Sequence, residues 1–413
     1  MDAGARSTRT KFTPVFRRIA VWGPGLLVML ADTDAGNVVT AAQAGARWGY
    51  RLLPLILVLI PVLYRVQELT VRLGIHTGRG CGELIRERFG PGWAWLSTAG
   101  LMAAVIGSLV TEFTGVAGIG ELYGMSRSLS LPLAAAFLLA VAATGSYRRI
   151  ERIALVVGLF ELAFFAVAWI AHPSLKSLAR DIADLPFGNR EFLYLAAAII
   201  GAVFNPWMIF YQQSAVADKK LRPEDYRAAR WDTAIGAVLT QLLTAAVLVA
   251  AAAALAADGA AAGFTTIGAI GEALSAALGG AAERAVFSIG VLGASLVAAI
   301  VSSLALAWGL GEVAGYRRSL EYRPFAAGWF YGAYAASVIA AALVVWSVPD
   351  LVRLNIAAQV VNAFLLPLSV GVLVALAATA LPEPLRLSGW HLAGVVGIAA
   401  AVSALAVYGG IAA

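Results

Sequence analysis

The sequence predicts an all-α polytopic membrane protein with about eleven transmembrane helices, built as an inverted repeat of five plus five with one extra helix, in a single transmembrane domain over 1–413. Three observations carry this prediction. The 413 residues are 61% hydrophobic and 13% charged, with a mean hydropathy of +0.82, which leaves too few charges to solvate a globular surface of that size. Windows of about 19 residues, the length that crosses about 30 Å of hydrocarbon, pick out apolar stretches near 20–40, 50–71, 95–123, 131–146, 153–171, 192–217, 232–257, 285–313, 326–347, 351–380 and 388–411. The first and the sixth stretch are interrupted by polar residues and helix breakers at corresponding places, the mark of two related halves.

The first span follows a basic tail, 1–19, that carries Arg6, Arg9, Lys11, Arg17 and Arg18. A signal peptide begins with similar charge, but no cleavage site follows and the helix carries Asp34, so the tail is expected to be retained in the cytoplasm. Inside the span lies Asp32-Thr33-Asp34-Ala35-Gly36-Asn37. Each ionisable group at membrane depth costs about 2.5–3.5 kcal/mol on insertion scales, so such groups mark a working site. Gly36 is expected to break the helix here and let Asp34, Asn37 and backbone carbonyls converge on a point that suits a hard cation.

The second span carries Arg65 and Glu68, expected as an ion pair at helical spacing. The third carries Glu112 and Glu121, and the fifth Glu161; with Glu312 of the eighth these acids read as structural partners or interfacial groups. The first five spans make the first repeat, 20–171, and an external linker at 172–191 follows, with Pro173, Asp181, Asp184, Pro186 and Gly188. The sixth span is broken at Gly201-Ala202-Val203-Phe204-Asn205-Pro206-Trp207, because Pro206 lacks a backbone donor and pushes the residue before it out of helical geometry. Five spans precede it, so the second repeat, 192–380, enters the bilayer inverted. The segment 258–284 is rich in Gly and Ala and holds a mildly amphipathic stretch, Ile267 to Leu278, expected as an outer surface helix. The extra helix lies in 381–413. Trp22, Trp93, Trp95, Trp329 and Trp346 fit the membrane-interface belts.

Loops on the side of the amino terminus hold 21 Lys and Arg residues and the opposite loops hold 8. That asymmetry predicts a cytoplasmic amino terminus and an external carboxyl terminus. The net charge of +6 is then explained by topology and lipid headgroups, so no nucleic-acid partner is required. The single cysteine, Cys81, permits no intrachain disulfide. His-Glu-x-x-His, nucleophile-elbow and phosphate-loop motifs are absent, which argues against an enzyme.

Gly23-Pro24-Gly25, Asp34-Ala35-Gly36-Asn37, Gln43-Ala44-Gly45-Ala46 with Gly49-Tyr50, and Gly74-Ile75-His76-Thr77-Gly78 with Glu83-Leu84-Ile85-Arg86-Glu87-Arg88-Phe89 resemble the corresponding segments of the NRAMP divalent-metal transporters. The resemblance runs over nearly the whole chain and implies an inverted repeat of the LeuT type. It implies a divalent ion as transported substrate, with no resident cofactor. Carried over by position, the metal site would comprise Asp34, Asn37, the carbonyls of Ala31 and Ala202, Asn205 where the family has a Met, and Gln359. The departures carry further expectations. An amide oxygen at Asn205 in place of a thioether favours magnesium over softer ions, and Asp32 adds a second acid placed to hold outer-shell waters. Trp207 and Gln212 stand where the family has His, and Gly115 where it has Glu; Glu112 keeps a third-span acid. Trp, Gln and Gly cannot exchange protons near neutral pH. The pattern is similar to the NRAMP-related magnesium transporters. It predicts uptake of Mg2+, and of Mn2+, across the inner (plasma) membrane by alternating access with weak or no proton coupling. A proton-coupled Mn2+/Fe2+ transporter is the first alternative. A sodium-coupled small-solute symporter of the same fold is the second, disfavoured because Asp32 and Asp34 would repel a substrate carboxylate.

Overall fold

The structure is a computed structural model and describes residues 23–255, 268, 270, 271, 280–317, 319, 322 and 324–411. The basic tail, Trp22 and most of 267–278 lie outside these residues. Every regular element among the described residues is helical. Among the described residues, nine helices are long and apolar enough to cross a membrane, and the shorter apolar helix Arg127–Ala143 joins them. The first span is a broken pair, α1 (Pro24–Leu30) and α2 (Ala35–Trp48). There follow α3 (Leu53–Thr77), α4 (Cys81–Phe89), α5 (Pro91–Leu122), α6 (Arg127–Ala143), and α7 (Tyr147–Gly158), which continues through a 3₁₀ turn, Leu159–Leu162, into α8 (Ala163–Ile170).

The linker folds as α9 (Leu175–Ala183). The sixth span is the second broken pair, α10 (Arg190–Val203) and α11 (Pro206–Asp218). The chain is completed by α12 (Tyr226–Leu255), α13 (Ala281–Ala314), α14 (Gly328–Ser347), α15 (Leu351–Thr379) and α16 (Gly389–Ile411).

Burial separates the centre of the bundle from its rim. The apolar window of the sixth span is 94% buried and that of the last helix 11%, so the broken helices form the interior and α16 faces lipid. Helix α12 packs along α1, α2 and α3, α13 lies against α5, and α15 is held between α10, α5 and α16. Trp169, Trp329 and Trp390 stand out from the rim, as side chains in contact with lipid do.

Two expectations about elements are corrected. Arg65 is exposed and makes no pair with Glu68. Arg72, one turn further on, takes both Glu68 oxygens at 2.9 Å, because the i+4 position brings a guanidinium over the carboxylate from the interior side of α3. In the segment expected as a surface helix, Gly268, Ile270 and Gly271 are buried. A Cβ on Gly268 would lie 2.7 Å from the Gly118 carbonyl oxygen, so Gly268 itself is pressed against the end of α5.

Candidate metal centre

The first break occupies Ala31 to Asp34. Asp34 leaves helical geometry (φ −70, ψ 171) and caps α2, its Oδ1 accepting from Asn37 N at 2.6 Å. In an unbroken helix the Ala35 N–H would close on the Ala31 carbonyl; here it donates to Glu112 Oε2 at 3.1 Å, which frees that carbonyl. Gly36 is therefore not the breaking residue and sits in the first turn of α2. Its need is for space: a Cβ there would collide with Gln359 Nε2 and lie 3.1 Å from Asp34 Oδ1. Asn37 reaches back across the break, Nδ2 donating to the Asp32 carbonyl at 3.0 Å.

The second break is made by Pro206. The residue at 206 would donate to the Ala202 carbonyl in a continuous helix, and proline has nothing to give. Phe204 (φ −118, ψ 62) and Asn205 (φ −69, ψ 127) leave helical geometry, and Asn205 turns its own Nδ2 onto the Ala202 carbonyl at 2.9 Å. Asn205 Oδ1 accepts from Asn362 Nδ2, which also donates to Gln359 Oε1 at 3.0 Å.

Gln359 joins the two breaks. A Cβ on Gly201 would collide with its carbonyl oxygen, as one on Gly36 would with its amide, so α15 is clasped between α2 and α10 by two glycines. Asp34, Asn37, Asn205, Gln359 and Asn362 are each at most 1% exposed. Within this enclosure Asp34 Oδ2, Asn37 Oδ1, Asn362 Oδ1 and Gln359 Nε2 have no hydrogen-bond partner. Buried polar atoms are nearly always paired, so a cluster of unpaired oxygens calls for a ligand that accepts lone pairs. No three His, Cys, Asp or Glu side chains gather into a metal-holding group among the described residues. The centre is instead one carboxylate among amide and backbone oxygens, the donor chemistry of a hard cation.

Other positions singled out from the sequence have structural partners. Gln212 accepts from Thr70 Oγ1 at 2.9 Å and donates to Thr233 Oγ1 at 2.8 Å, which ties α11 to α3 and α12. Trp207 is wholly buried in the core. Glu112 also accepts from Thr111 Oγ1 at 3.1 Å and so orients the start of α2. Gly115 admits no side chain: a Cβ would collide with Ser295 Oγ and lie 2.8 Å from Ala35 Cβ. Asp32 is buried, with Gln241 Nε2 at 3.5 Å from Oδ2 and Oδ1 unpaired. Asn362 was missed by sequence reasoning, as was Asn355, whose Nδ2 donates to Thr114 Oγ1 at 2.9 Å. Both stand on the interior face of α15 at helical spacing from Gln359, and that periodicity was the available signal.

Both ends of the first span are tied down. Asp232 Oδ2 accepts from Gly23 N at 3.2 Å and Gly25 N at 2.8 Å, and Lys219 pairs with Glu151 at 2.8 Å beside Gly23. At the far end of α2, Asp181 Oδ2 accepts from Tyr50 N at 3.1 Å, and Arg51 donates to the Asp184 carbonyl at 2.9 Å.

A family model described as natural resistance-associated macrophage protein-like matches residues 25–412. The chain is 32% identical over 303 residues to the divalent metal cation transporter MntH of Yersinia pestis, covering 70% of this chain and 71% of that protein. It is 28% identical over 301 residues to MntH of Klebsiella pneumoniae, with coverage of 70% and 71%. Among solved structures, the manganese transporter of Eremococcus coleocola superposes with a TM-score of 0.75 at 18% identity, over 96% of this chain and 87% of that one. MhsT in complex with L-phenylalanine superposes with a TM-score of 0.62 at 15% identity, over 94% and 98%. These two likenesses establish the fold.

Proposed function

The chain belongs to the natural resistance-associated macrophage protein-like family and is a multi-pass membrane transporter of divalent metal cations, and from that premise we propose that it carries magnesium, and manganese less selectively, into the cytoplasm across the plasma membrane. Asp34, Asn37 and Asn205 would hold the ion with the carbonyls of Ala31 and Ala202, and Gln359 would brace the two breaks. The observation that carries this reading is the donor set. The unpaired atoms at the centre are an Asp34 carboxylate oxygen and the amide oxygens of Asn37 and Asn362, and the Asn205 oxygen, which accepts from Asn362 Nδ2, keeps a second lone pair to give; hard oxygen donors suit magnesium, which keeps part of its water. Asp32, beside them, is placed to hold that water.

Weak or absent proton coupling is supported by Gln212, engaged on both sides, and by Gly115, whose place has no room for an acid. The membrane potential supplies about 2.3 kcal/mol per charge per 100 mV, enough to drive a divalent ion inward. The amino terminus is read as cytoplasmic from the loop charges, which puts the Asp232 clamp on the inside and the Asp181 clamp on the outside. With both in place the centre is occluded, and alternating access would release one clamp at a time.

Uptake into proteoliposomes tests the reading. Asp34→Ala is expected to abolish transport, and Asn205→Met to move the magnesium-to-manganese ratio toward manganese by about tenfold or more, the effect of exchanging a hard donor for a soft one. An unchanged ratio in Asn205→Met would remove the basis for magnesium. A wild type in which low micromolar manganese outcompetes magnesium while protons enter in fixed ratio would instead establish the proton-coupled manganese or iron transporter.

A further inference from the structure

Helix α7 opens with Tyr147-Arg148-Arg149 and reaches Arg152 one turn later, with no acid in its first turn. A helix start carries partial positive charge and favours acids, so this arrangement runs against the local electrostatics. All three arginines are exposed, and none makes a side-chain hydrogen bond or ion pair with another described residue. The acid in their midst is spent elsewhere: Glu151 turns inward and pairs with Lys219 at 2.8 Å beside Gly23.

The face that carries these charges continues as an apolar stripe. Arg148, Arg152, Val156 and Leu159 follow one another at helical spacing and so lie on one side of the helix. The buried residues Tyr147, Ile150, Ala154 and Gly158 take the opposite side, against the bundle. Val156, Leu159 and Phe160 are exposed, and in a chain that spans a membrane such a surface meets acyl chains. The depth of the arginines is marked by a neighbour. A Cβ on Gly145 would lie 3.8 Å from the Tyr331 hydroxyl, so the start of α14 adjoins the turn before α7, and there Phe325 and Trp329 stand out from the protein. Exposed aromatic rings collect at the level of the lipid headgroups.

We propose that the start of α7 is a binding site for an anionic phospholipid, whose phosphate is held by Arg148 and Arg152 with Arg149 alongside, and whose acyl chain lies along Val156, Leu159 and Phe160. Charge complementarity selects the headgroup: guanidinium groups one turn apart can grip one phosphate from two sides, a fit for which their planar forks are suited. The stripe selects a lipid over a free anion, since it offers a chain a surface continuous with the rest of the lipid-facing rim. The occupant also bears on the moving span. The helix it anchors carries Glu151, whose tie to Lys219 stands beside the Gly23 end of α1.

The test is native mass spectrometry of the purified full chain in a neutral detergent, with phosphatidylglycerol and phosphatidylcholine of identical chains supplied in equal amounts. Its outcome is independent of which divalent ion is carried. The wild type is expected to retain one phosphatidylglycerol in preference to phosphatidylcholine, and excess inorganic phosphate should not displace it. The double variant Arg148→Gln/Arg152→Gln is expected to bind phosphatidylglycerol at least about tenfold more weakly, as the loss of two cationic contacts implies, with phosphatidylcholine unchanged and manganese still bound as a check on folding. Arg222→Gln/Arg227→Gln, which removes the same charge from exposed positions at the start of α12, should bind phosphatidylglycerol as the wild type does. Equal retention of the two lipids by the wild type, equal phosphatidylglycerol binding by wild type and Arg148→Gln/Arg152→Gln, an equal loss in Arg222→Gln/Arg227→Gln, or displacement by inorganic phosphate overturns the proposal.

Discussion

At the scale of single residues, the centre depends on what two glycines leave out. Replacing a glycine within a helix by alanine ordinarily stabilises it by about 0.5–1 kcal/mol. Gly36→Ala should do the reverse, because the added methyl meets Gln359 Nε2 and approaches Asp34. Overpacking of this kind costs about 1–3 kcal/mol, so the variant is expected to unfold at lower temperature than wild type. Calorimetric titration should also show its divalent affinity reduced by about tenfold or more, from displacement of the Asp34 carboxylate. Residue chemistry was legible in advance where it is local. Asp34 and Asn37 announced themselves as polar groups in an apolar helix, and Pro206 as a missing donor. The role of Gly36 was not legible, since a close approach by α15 is a property of packing. Glu161 was visible only as one acid among several, because its full burial arises in three dimensions.

At the scale of elements, a break works by withholding a backbone donor. Asp34 and Glu112 together do for α1 and α2 what Pro206 does for α10 and α11: the first pair diverts the N–H groups at the start of α2, and the proline has none to offer. Pro206→Ala restores a donor four residues beyond Ala202 and allows the sixth span to close into one helix. The Ala202 carbonyl would then be committed to the backbone, and Asn205 would turn with it. Divalent binding by titration is expected to fall by about tenfold, the worth of one lost ligand, while thermal stability holds or rises. Helix positions and the second break could be read from hydropathy and proline. The first break was placed about one turn late, because an Asp cap and a glycine in the same six residues compete for the role and only the Glu112 contact from α5 decides between them. The polar face of α15 was read as Gln359 alone, although Asn355 and Asn362 share its face.

At the scale of the whole molecule, the proposed transport cycle turns on two clamps, one at each end of the first span. Asp232→Ala removes the acceptor that holds Gly23 and Gly25 and leaves Lys219 with Glu151 as the remaining tie at that end. The population should shift toward the state open on the Gly23 side. With a reporter cysteine at Ala31, membrane-impermeant thiol reagents applied from that side are expected to react at least about fivefold faster in Asp232→Ala than in wild type, as a bias of about 1 kcal/mol implies. Cys81 is buried and should give little background. The same clamps set the electrical character of the protein. Since the centre is buried while both ends of the first span are tied at once, the proposed cycle would carry charge in single counted steps and never as an open stream. Voltage-clamped membranes containing many copies should therefore show a smooth current that saturates with ion concentration and carries no unitary openings, and in the absence of carried ion the membrane should remain an insulator.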